Sequence, residues 1–300
     1  MSDSALAPLA DPGLRPLGVP VVRPTAAVQA LAPSVARGGR PATGEPLLDR
    51  AFRILTAFGP DHRSLTLTSL SLRAGLPKAS ALRITRKLVE WGALERTDKG
   101  EYVIGLRLLE IASLAPRGHG LRATALPYLE DLHHSTGQHV LLAVRDGLEA
   151  VLVERLSARR ADRVLYRVGG RMPLHSTGVG LVLLAYAPPH VQDEVLASDL
   201  LVEPEGRRLS AASLRVQLAE VRREGVAIAS RPTAELMTSV AAPISDHSGA
   251  TVAAISVVAR SGQIEPAVLR PAVVAIARAI SRAVAAGLNG AGAEPAETKA

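Results

Sequence analysis

Lys78, Ser80, Arg83, Arg86 and Lys87 form a short run whose types and spacing suit contact with a nucleic acid. Ammonium and guanidinium groups neutralise phosphates, and a guanidinium or a short hydroxyl can also read the edge of a base. On a helix, Ser80, Arg83 and Lys87 share a face at spacings of three and four, with Lys78 and Arg86 on its flanks. Ala81, Ile84 and Leu88 form a separate apolar stripe for a small core. Ser80 and Arg83 are the expected base readers. Lys78, Arg86 and Lys87 are expected to hold phosphates, which set position without reading sequence. The alternative for the same residues is a solvated basic helix face.

Such a helix must be held against a second one. Leu72-Arg73-Ala74-Gly75-Leu76-Pro77 supplies the end of a short helix, a tight turn at Gly75, and a proline where the missing N–H is harmless. This is a helix-turn-helix pattern with its recognition helix second. The first of the pair is expected to carry Leu70, Leu72 and Ala74 and to be capped by Thr68 or Ser69. Upstream, Leu48, Ala51, Phe52, Leu55 and Phe58 predict the inward face of another helix, stopped by Gly59-Pro60-Asp61. Leu65 and Leu67 predict a short strand or extended link. Downstream, Trp91-Gly92 reads as a helix stop. Residues 94–97 and 101–104 predict two strands joined by Asp98-Lys99-Gly100. Residues 45–105 therefore predict a winged helix-turn-helix whose wing offers Arg96 and Lys99 to phosphates or the minor groove.

The remaining chain predicts a linker helix over 106–120, broken near Pro116, and a mixed domain over 121–290. Strands are expected at 139–144, 150–154, 164–168, 226–229, 240–244 and 251–258. Helices are expected at 121–135, 177–187, 191–197, 211–224 and 266–288. Strands and helices in this order suit an α+β domain with a largely antiparallel sheet. Residues 1–44, rich in Ala, Pro and Gly, are expected to be a disordered leader or an over-extended translation start, and 291–300 a disordered tail.

Composition agrees with two modest domains: 300 residues, 47% hydrophobic, with 35 basic against 28 acidic side chains and a net charge of +7. The basic excess concentrates in residues 47–105, where ten cations face six acids. Cysteine is absent, which excludes disulfides, thiolate catalysis and cysteine zinc sites. The first residues lack a basic segment followed by an apolar one, and Arg278 and Arg282 interrupt the longest apolar run. A cytoplasmic protein without a membrane span is expected.

Several segments together resemble the IclR family of bacterial transcription regulators. They are Gly75-Leu76-Pro77-Lys78 with Arg83, and Tyr102-Val103-Ile104-Gly105-Leu106-Arg107-Leu108-Leu109-Glu110. The most specific is Val168-Gly169-Gly170-Arg171-Met172-Pro173-Leu174-His175-Ser176-Thr177-Gly178-Val179-Gly180. Val240-Ala241-Ala242-Pro243-Ile244 and Ala253-Ala254-Ile255-Ser256-Val257 continue it. The similarity runs in register from about residue 47 to 288. It implies a winged helix, a linker helix used in dimerisation, and a GAF-like effector domain. It further implies homodimers or homotetramers on palindromic double-stranded DNA operators, repressing in many cases, and a response to small metabolites, commonly carboxylic acids or aromatic compounds. No cofactor, metal or catalytic residue is implied. Leu82 replaces the polar residue common at its family position, so it either touches a thymine methyl or packs.

The resemblance also carries over an effector site. The backbone at Gly178 and Val179 belongs to it, and Met172 supplies an apolar wall. A helix N-terminus there favours an anion, and the N–H groups of Gly178 and Gly180 are expected to be open. Ser239 and Ser256 carry over as polar contacts, with ordinary strand serines as the alternative reading. The family's usual acidic cluster is replaced by Ala229-Ser230-Arg231-Pro232. A larger, partly hydrophobic effector is therefore expected, with Arg231 as carboxylate partner. His175 lies within the strongest motif but has no nucleophile or acid in a catalytic order, so a structural histidine is expected. His133, His134 and His139 lack a metal-ligand spacing. An enzyme that kept a winged helix for assembly or autoregulation is the rival reading.

Overall fold

The computed structural model describes residues 45–157, 166–202, 206–232 and 236–290. It opens with helices α1 (Leu47–Thr56), α2 (Leu67–Arg73) and α3 (Lys78–Trp91), then an antiparallel hairpin of β1 (Leu94–Arg96) and β2 (Tyr102–Ile104). Ile54, Leu70, Leu76, Ala81, Ile84 and Leu94 fill the space between them. The turn between α2 and α3 needs the left-handed conformation at Gly75 (φ 59°), and Gly92 (φ 85°) closes α3 in the same way. Leu65 bridges to Tyr102, tying the helices to the wing.

Three local expectations are corrected. The cap of α2 is Thr66, whose hydroxyl accepts from the Ser69 N–H at 3.2 Å, while Thr68 and Ser69 lie inside the helix. Thr66 has the extended backbone that turns a cap side chain back over the first turn. Leu67 accordingly belongs to α2. In α1 the buried residue is Ile54, with Ala57 buried just past its end, whereas Leu48 and Phe52 are exposed. Its apolar residues surround more than one face, and a core this small occupies only one of them. Leu72 is likewise exposed.

The expected linker divides into α4 (Leu106–Ser113) and one π-helical turn, Pro116–Gly120, which runs into α5 (Leu121–Thr136). There follow β3 (His139–Asp146), β4 (Glu149–Leu156), β5 (Arg171–Pro173), α6 (Gly178–Ala185) and α7 (Pro189–Ala197). A small hairpin, β6 (Leu201–Val202) and β7 (Arg207–Arg208), leads to α8 (Ala211–Glu224). The chain continues through β8 (Ala227–Pro232), β9 (Leu236–Ser245), β10 (Thr251–Arg260) and α9 (Pro266–Gly290). The large sheet is antiparallel throughout, in the order β5-β4-β3-β10-β9-β8.

The strand expected at 164–168 is not observed: residues 164 and 165 lie outside the described residues, and 166–168 are not extended into the sheet. Pairing starts instead at the glycines, where the Gly169 N–H donates to Leu152 and Gly170 accepts from it, before Met172 comes opposite Ala150.

Alternation along the strands produces two cores. Val140, Leu142, Val240, Ile255 and Val257 pack with α5 and α9 on one face. Leu141, Ala143, Leu152, Ala241 and Ala254 pack beneath α6 and α8 on the other. Burial of each Leu, Ile or Val contributes about 1.5–3 kcal/mol, so both layers are substantial. Among the described residues, no helix is long and apolar enough to cross a membrane.

Candidate nucleic-acid interface and candidate effector site

On α3, Lys78, Arg83, Arg86 and Lys87 are exposed and Ser80 is half-buried, opposite a core-facing side of Ala81, Ile84 and Thr85. Leu82 is half-buried. Lys87 is engaged within the helix, its Nζ 2.6 Å from Glu90 Oε2. A phosphate would have to draw it away from that carboxylate.

Arg53 of α1 anchors the turn in front of α3. Its Nη2 donates to the carbonyls of Ala74 and, at 2.9 Å, Gly75, while Nη1 donates to Glu45 at 2.8 and 3.0 Å. Arg73 adds a bond to the Ala57 carbonyl at 2.9 Å. Sequence reasoning counted Arg53 only as charge. Its one signal was its place on a helix whose neighbours Ile54 and Ala57 are core.

On the wing, Lys99 is exposed at the turn. Arg96 is also exposed but folds over its own hairpin, donating to the Gly100 carbonyl at 3.4 Å with its guanidinium 6.0 Å from the Tyr102 ring centre. A cation over an aromatic face is held there, so Arg96 is less outstretched than expected.

In the second domain, the structure brings five of the six expected effector residues to one side of the sheet. Met172 on β5, Ser239 on β9 and Ser256 on β10 share the face that packs beneath α6, alternating with residues of the opposite core. Met172 and Ser256 are each 1% exposed, and Ser239 is half-buried. Gly178 and Val179 open α6 directly over them. A Cβ on Gly178 would sit 2.3 Å from Ser239 Oγ and 3.1 Å from Ser239 Cβ, so any larger residue there would force Ser239 to shift. Ser239 itself donates to the Ala229 carbonyl at 3.3 Å. Arg231 lies on β8 opposite Met237, and its side chain falls outside the described residues.

The expected open N–H at Gly180 is corrected. Thr177 caps α6 by accepting from the Gly180 N–H at 3.1 Å, and its hydroxyl donates to the Pro173 carbonyl at 2.9 Å. What remains for an anion at this helix start are the N–H groups of Gly178 and Val179, which have no intrahelical partner. Both residues are buried rather than open to solvent.

His175 is buried, with Nε2 donating to the Leu201 carbonyl at 2.8 Å, the geometry of a structural histidine. His133 Nδ1 lies 2.7 Å from the Gln138 carbonyl. Among the described residues, no cluster of His, Asp and Glu has the arrangement to hold a metal.

A cavity of about 450 Å³ lies at the β8 edge of the sheet, between α8, the small hairpin and residues 175–176. None of the expected effector residues lines it. At its rim, Arg223 and Arg270 both bond Glu224 and hold its carboxyl below the usual carboxylate range.

Comparison with known proteins covers both regions. Residues 47–98 match the family described as the IclR helix-turn-helix domain, and residues 115–286 match the bacterial transcriptional regulator IclR C-terminal family. The glycerol operon regulatory protein of Streptomyces coelicolor is 32% identical over 247 residues, covering 80% of this chain and 96% of that protein. The transcriptional repressor IclR of Escherichia coli is 27% identical, covering 79% and 88%. Among solved structures, an IclR homolog from Microbacterium hydrocarbonoxydans complexed with 4-hydroxybenzoate superposes with a TM-score of 0.72 at 34% identity. That match covers 82% of this chain and all of the other.

Proposed function

The chain belongs to the IclR family of bacterial transcriptional regulators, and from that premise we propose a repressor that releases or tightens on its operator when a small carboxylate or aromatic compound enters the effector domain. It is a DNA-binding transcription regulator rather than an enzyme. The observation that carries the proposal is the exposed basic face of α3, set beside a wing and held by the Gly75 turn and Arg53. Ser80 and Arg83 read bases. Lys78, Arg86, Lys87 and the wing residues Arg96 and Lys99 hold phosphates. The unit that does this spans 45–105, and 106–120 joins it to an effector domain over 121–290.

A homodimer or homotetramer on a two-fold operator is supported by unburied apolar side chains on α1 and α4. Leu47, Leu48 and Phe52 on the first and Leu106 and Leu109 on the second are all more than half exposed. Patches of this kind on a soluble surface mark places where another chain packs. A DNA partner supports a cytoplasmic location.

The effector site is the sheet face beneath α6. Ser239 and Ser256 supply hydroxyls, Met172 an apolar wall, and the first N–H groups of α6, at Gly178 and Val179, favour a carboxylate. Arg231 is the proposed carboxylate partner. The Microbacterium neighbour, solved with the aromatic carboxylate 4-hydroxybenzoate, supports this chemistry. Effector binding acts by linkage: it favours one spacing of the paired recognition helices, and operator affinity follows.

A mobility shift on the DNA upstream of the chain's own coding region, at two salt concentrations against random competitor, tests the operator claim. Specific, salt-sensitive retention is expected. Equal competition by random DNA at both salts would refute it. Adding aromatic and aliphatic carboxylates to the retained complex tests the effector class, and a response to two- and three-carbon acids alone would overturn it.

A further inference from the structure

We propose that Glu95, Gly105 and the Trp91–Arg107 pair form a joint that locks α4 to the recognition helix, with Glu95 as a positioning residue that sets which half-site spacing is accepted. The spacing role rests on the two-fold operator reading given above. α4 has no buried residue, and its Leu106, Leu109 and Leu114 flank is largely in solvent. No core of its own chain steers it, so its direction relative to the DNA-binding domain is set at its first turn.

Three contacts meet at that turn. Glu95 on β1 accepts the Leu106 N–H on Oε1 at 2.9 Å. That N–H opens the helix and has no intrahelical acceptor, and a carboxylate at this end is also favoured by the helix dipole. Gly105 donates its N–H to the Ala93 carbonyl at 2.9 Å, and a Cβ on it would fall 2.2 Å from the Gly92 carbonyl oxygen. Backbone meets backbone there, and neither side can yield as a flexible side chain would. Arg107 stands over Trp91, the last residue of α3, with its guanidinium carbon 5.9 Å from the ring centre. One contact would leave a swivel, whereas three separate ones fix an orientation.

The far end of α4 is built differently. Every residue from 114 to 120 is at least partly exposed, and the helix changes there to the π-helical turn Pro116–Gly120, with glycines at 118 and 120. Proline, glycine and π-turns are where helices bend. Arg117 ties this turn to the Arg145 carbonyl of β3, on the effector-domain side. A rotation of the effector domain is therefore taken up at 114–120, while α4 and α3 move as one body. In a dimer packed through the apolar side chains of α4, the angle between α4 and α3 decides how far apart the two recognition helices stand. Half-sites lie about one helical turn or a multiple of it apart, so a change in that angle puts one helix out of register.

Two measurements on the full chain test this. In the first, binding sites are selected from random-sequence duplex DNA and sequenced. The wild type is expected to return paired half-sites at one spacing. Glu95→Ala should return the same half-sites with its preference for that spacing over neighbouring ones reduced about fivefold, the usual worth of a capping side chain. Glu95→Gln keeps an acceptor and should restore the preference, and Gly105→Ala, which forces backbone apart, should lose more of it. A Glu95→Ala variant with wild-type spacing preference overturns the proposal. So does one that loses the half-site sequence, because Glu95 would then serve reading rather than spacing. The second measurement needs no DNA. The chain has no cysteine, so nitroxides on Asp98→Cys and Ala112→Cys, both exposed positions, report the wing-to-α4 distance by double electron resonance, with labelled chain diluted in unlabelled. One narrow distance is expected, broadened by Glu95→Ala, and a broad distribution without that substitution overturns the joint. A wild-type selection without paired half-sites refutes the two-fold operator and the spacing role with it, while the distance measurement still decides whether the joint exists.

Discussion

Two helices carry the proposed functions, and they are built in opposite ways. α3 presents four exposed cations and uses only its Ala81, Ile84 and Thr85 side for the core. All eight residues of α6 are buried, and its first turn presses a glycine onto a serine of the sheet. A surface that meets a polyanion can be separated from the packing that supports it. A site inside a core cannot, because the atoms that would bind also hold the domain together. Substitutions should therefore separate affinity from stability on α3 and entangle them on α6.

Gly178→Val should have the largest effect. Its Cβ would fall 2.3 Å from Ser239 Oγ and 3.4 Å from Ala241 Cβ, with a rigid helix on one side and the sheet on the other. Overpacking of this kind costs about 3 kcal/mol. Urea denaturation followed by circular dichroism should show the midpoint fall and any effector response disappear together. A variant of normal stability that loses only the response would break the comparison, because α6 would then behave as a surface.

Arg83→Ala makes the opposite prediction. Operator affinity should fall by about 2 kcal/mol, roughly thirtyfold, as for loss of a base contact, with the unfolding midpoint unchanged. Arg83→Lys should not restore it, since an ammonium lacks the planar pair of donors. Equal losses on operator and random DNA would reassign Arg83 to phosphate holding and move base reading to Ser80.

The difference between the helices also decides what could be read from the residues. α3 is amphipathic and punctuated by Gly75, Pro77 and Gly92, so its ends and its core side follow from local spacing. α6 is apolar on every side, so no period tells which residues face the sheet. The contact of Gly178 with Ser239 joins positions 61 apart in the chain, and the order β5-β4-β3-β10-β9-β8 is equally non-local. Only the family resemblance put those residues on one list. Local reading also failed where it offered equal choices. Thr66, Thr68 and Ser69 are all competent caps, and only backbone geometry selects Thr66. Leu48 and Phe52 fit an inward stripe as well as Ile54 does, and they stay exposed because the small core is already filled.

Arg53→Leu sharpens the boundary between the two classes, because Arg53 is structural yet serves the exposed helix. The substitution leaves the Ala74 and Gly75 carbonyls and Glu45 without their donor. A charge-assisted hydrogen bond contributes about 1.5 kcal/mol, and that loss should appear in stability. Operator affinity should drop as well, although Arg53 is not among the residues proposed to touch DNA, since the turn fixes the angle at which α3 leaves α2. Unchanged affinity at temperatures well below unfolding would show that Gly75 and Pro77 suffice to set that angle.

The smallest effect is expected at Lys87, and it tests whether an exposed side chain is as independent as its position implies. Its ammonium pairs with Glu90 at 2.6 Å, with both side chains largely in solvent. Exposed pairs three residues apart contribute only about 0.3–0.5 kcal/mol, so Lys87→Ala should leave the unfolding midpoint within error. If Lys87 holds a phosphate, the substitution should lower the slope of log affinity against log salt by about one unit. Glu90→Gln should do the reverse in part, freeing the ammonium and raising affinity at low salt. An unchanged slope in Lys87→Ala would mean that Glu90 keeps the charge at home. The DNA-facing set on α3 would then reduce to Lys78, Ser80, Arg83 and Arg86.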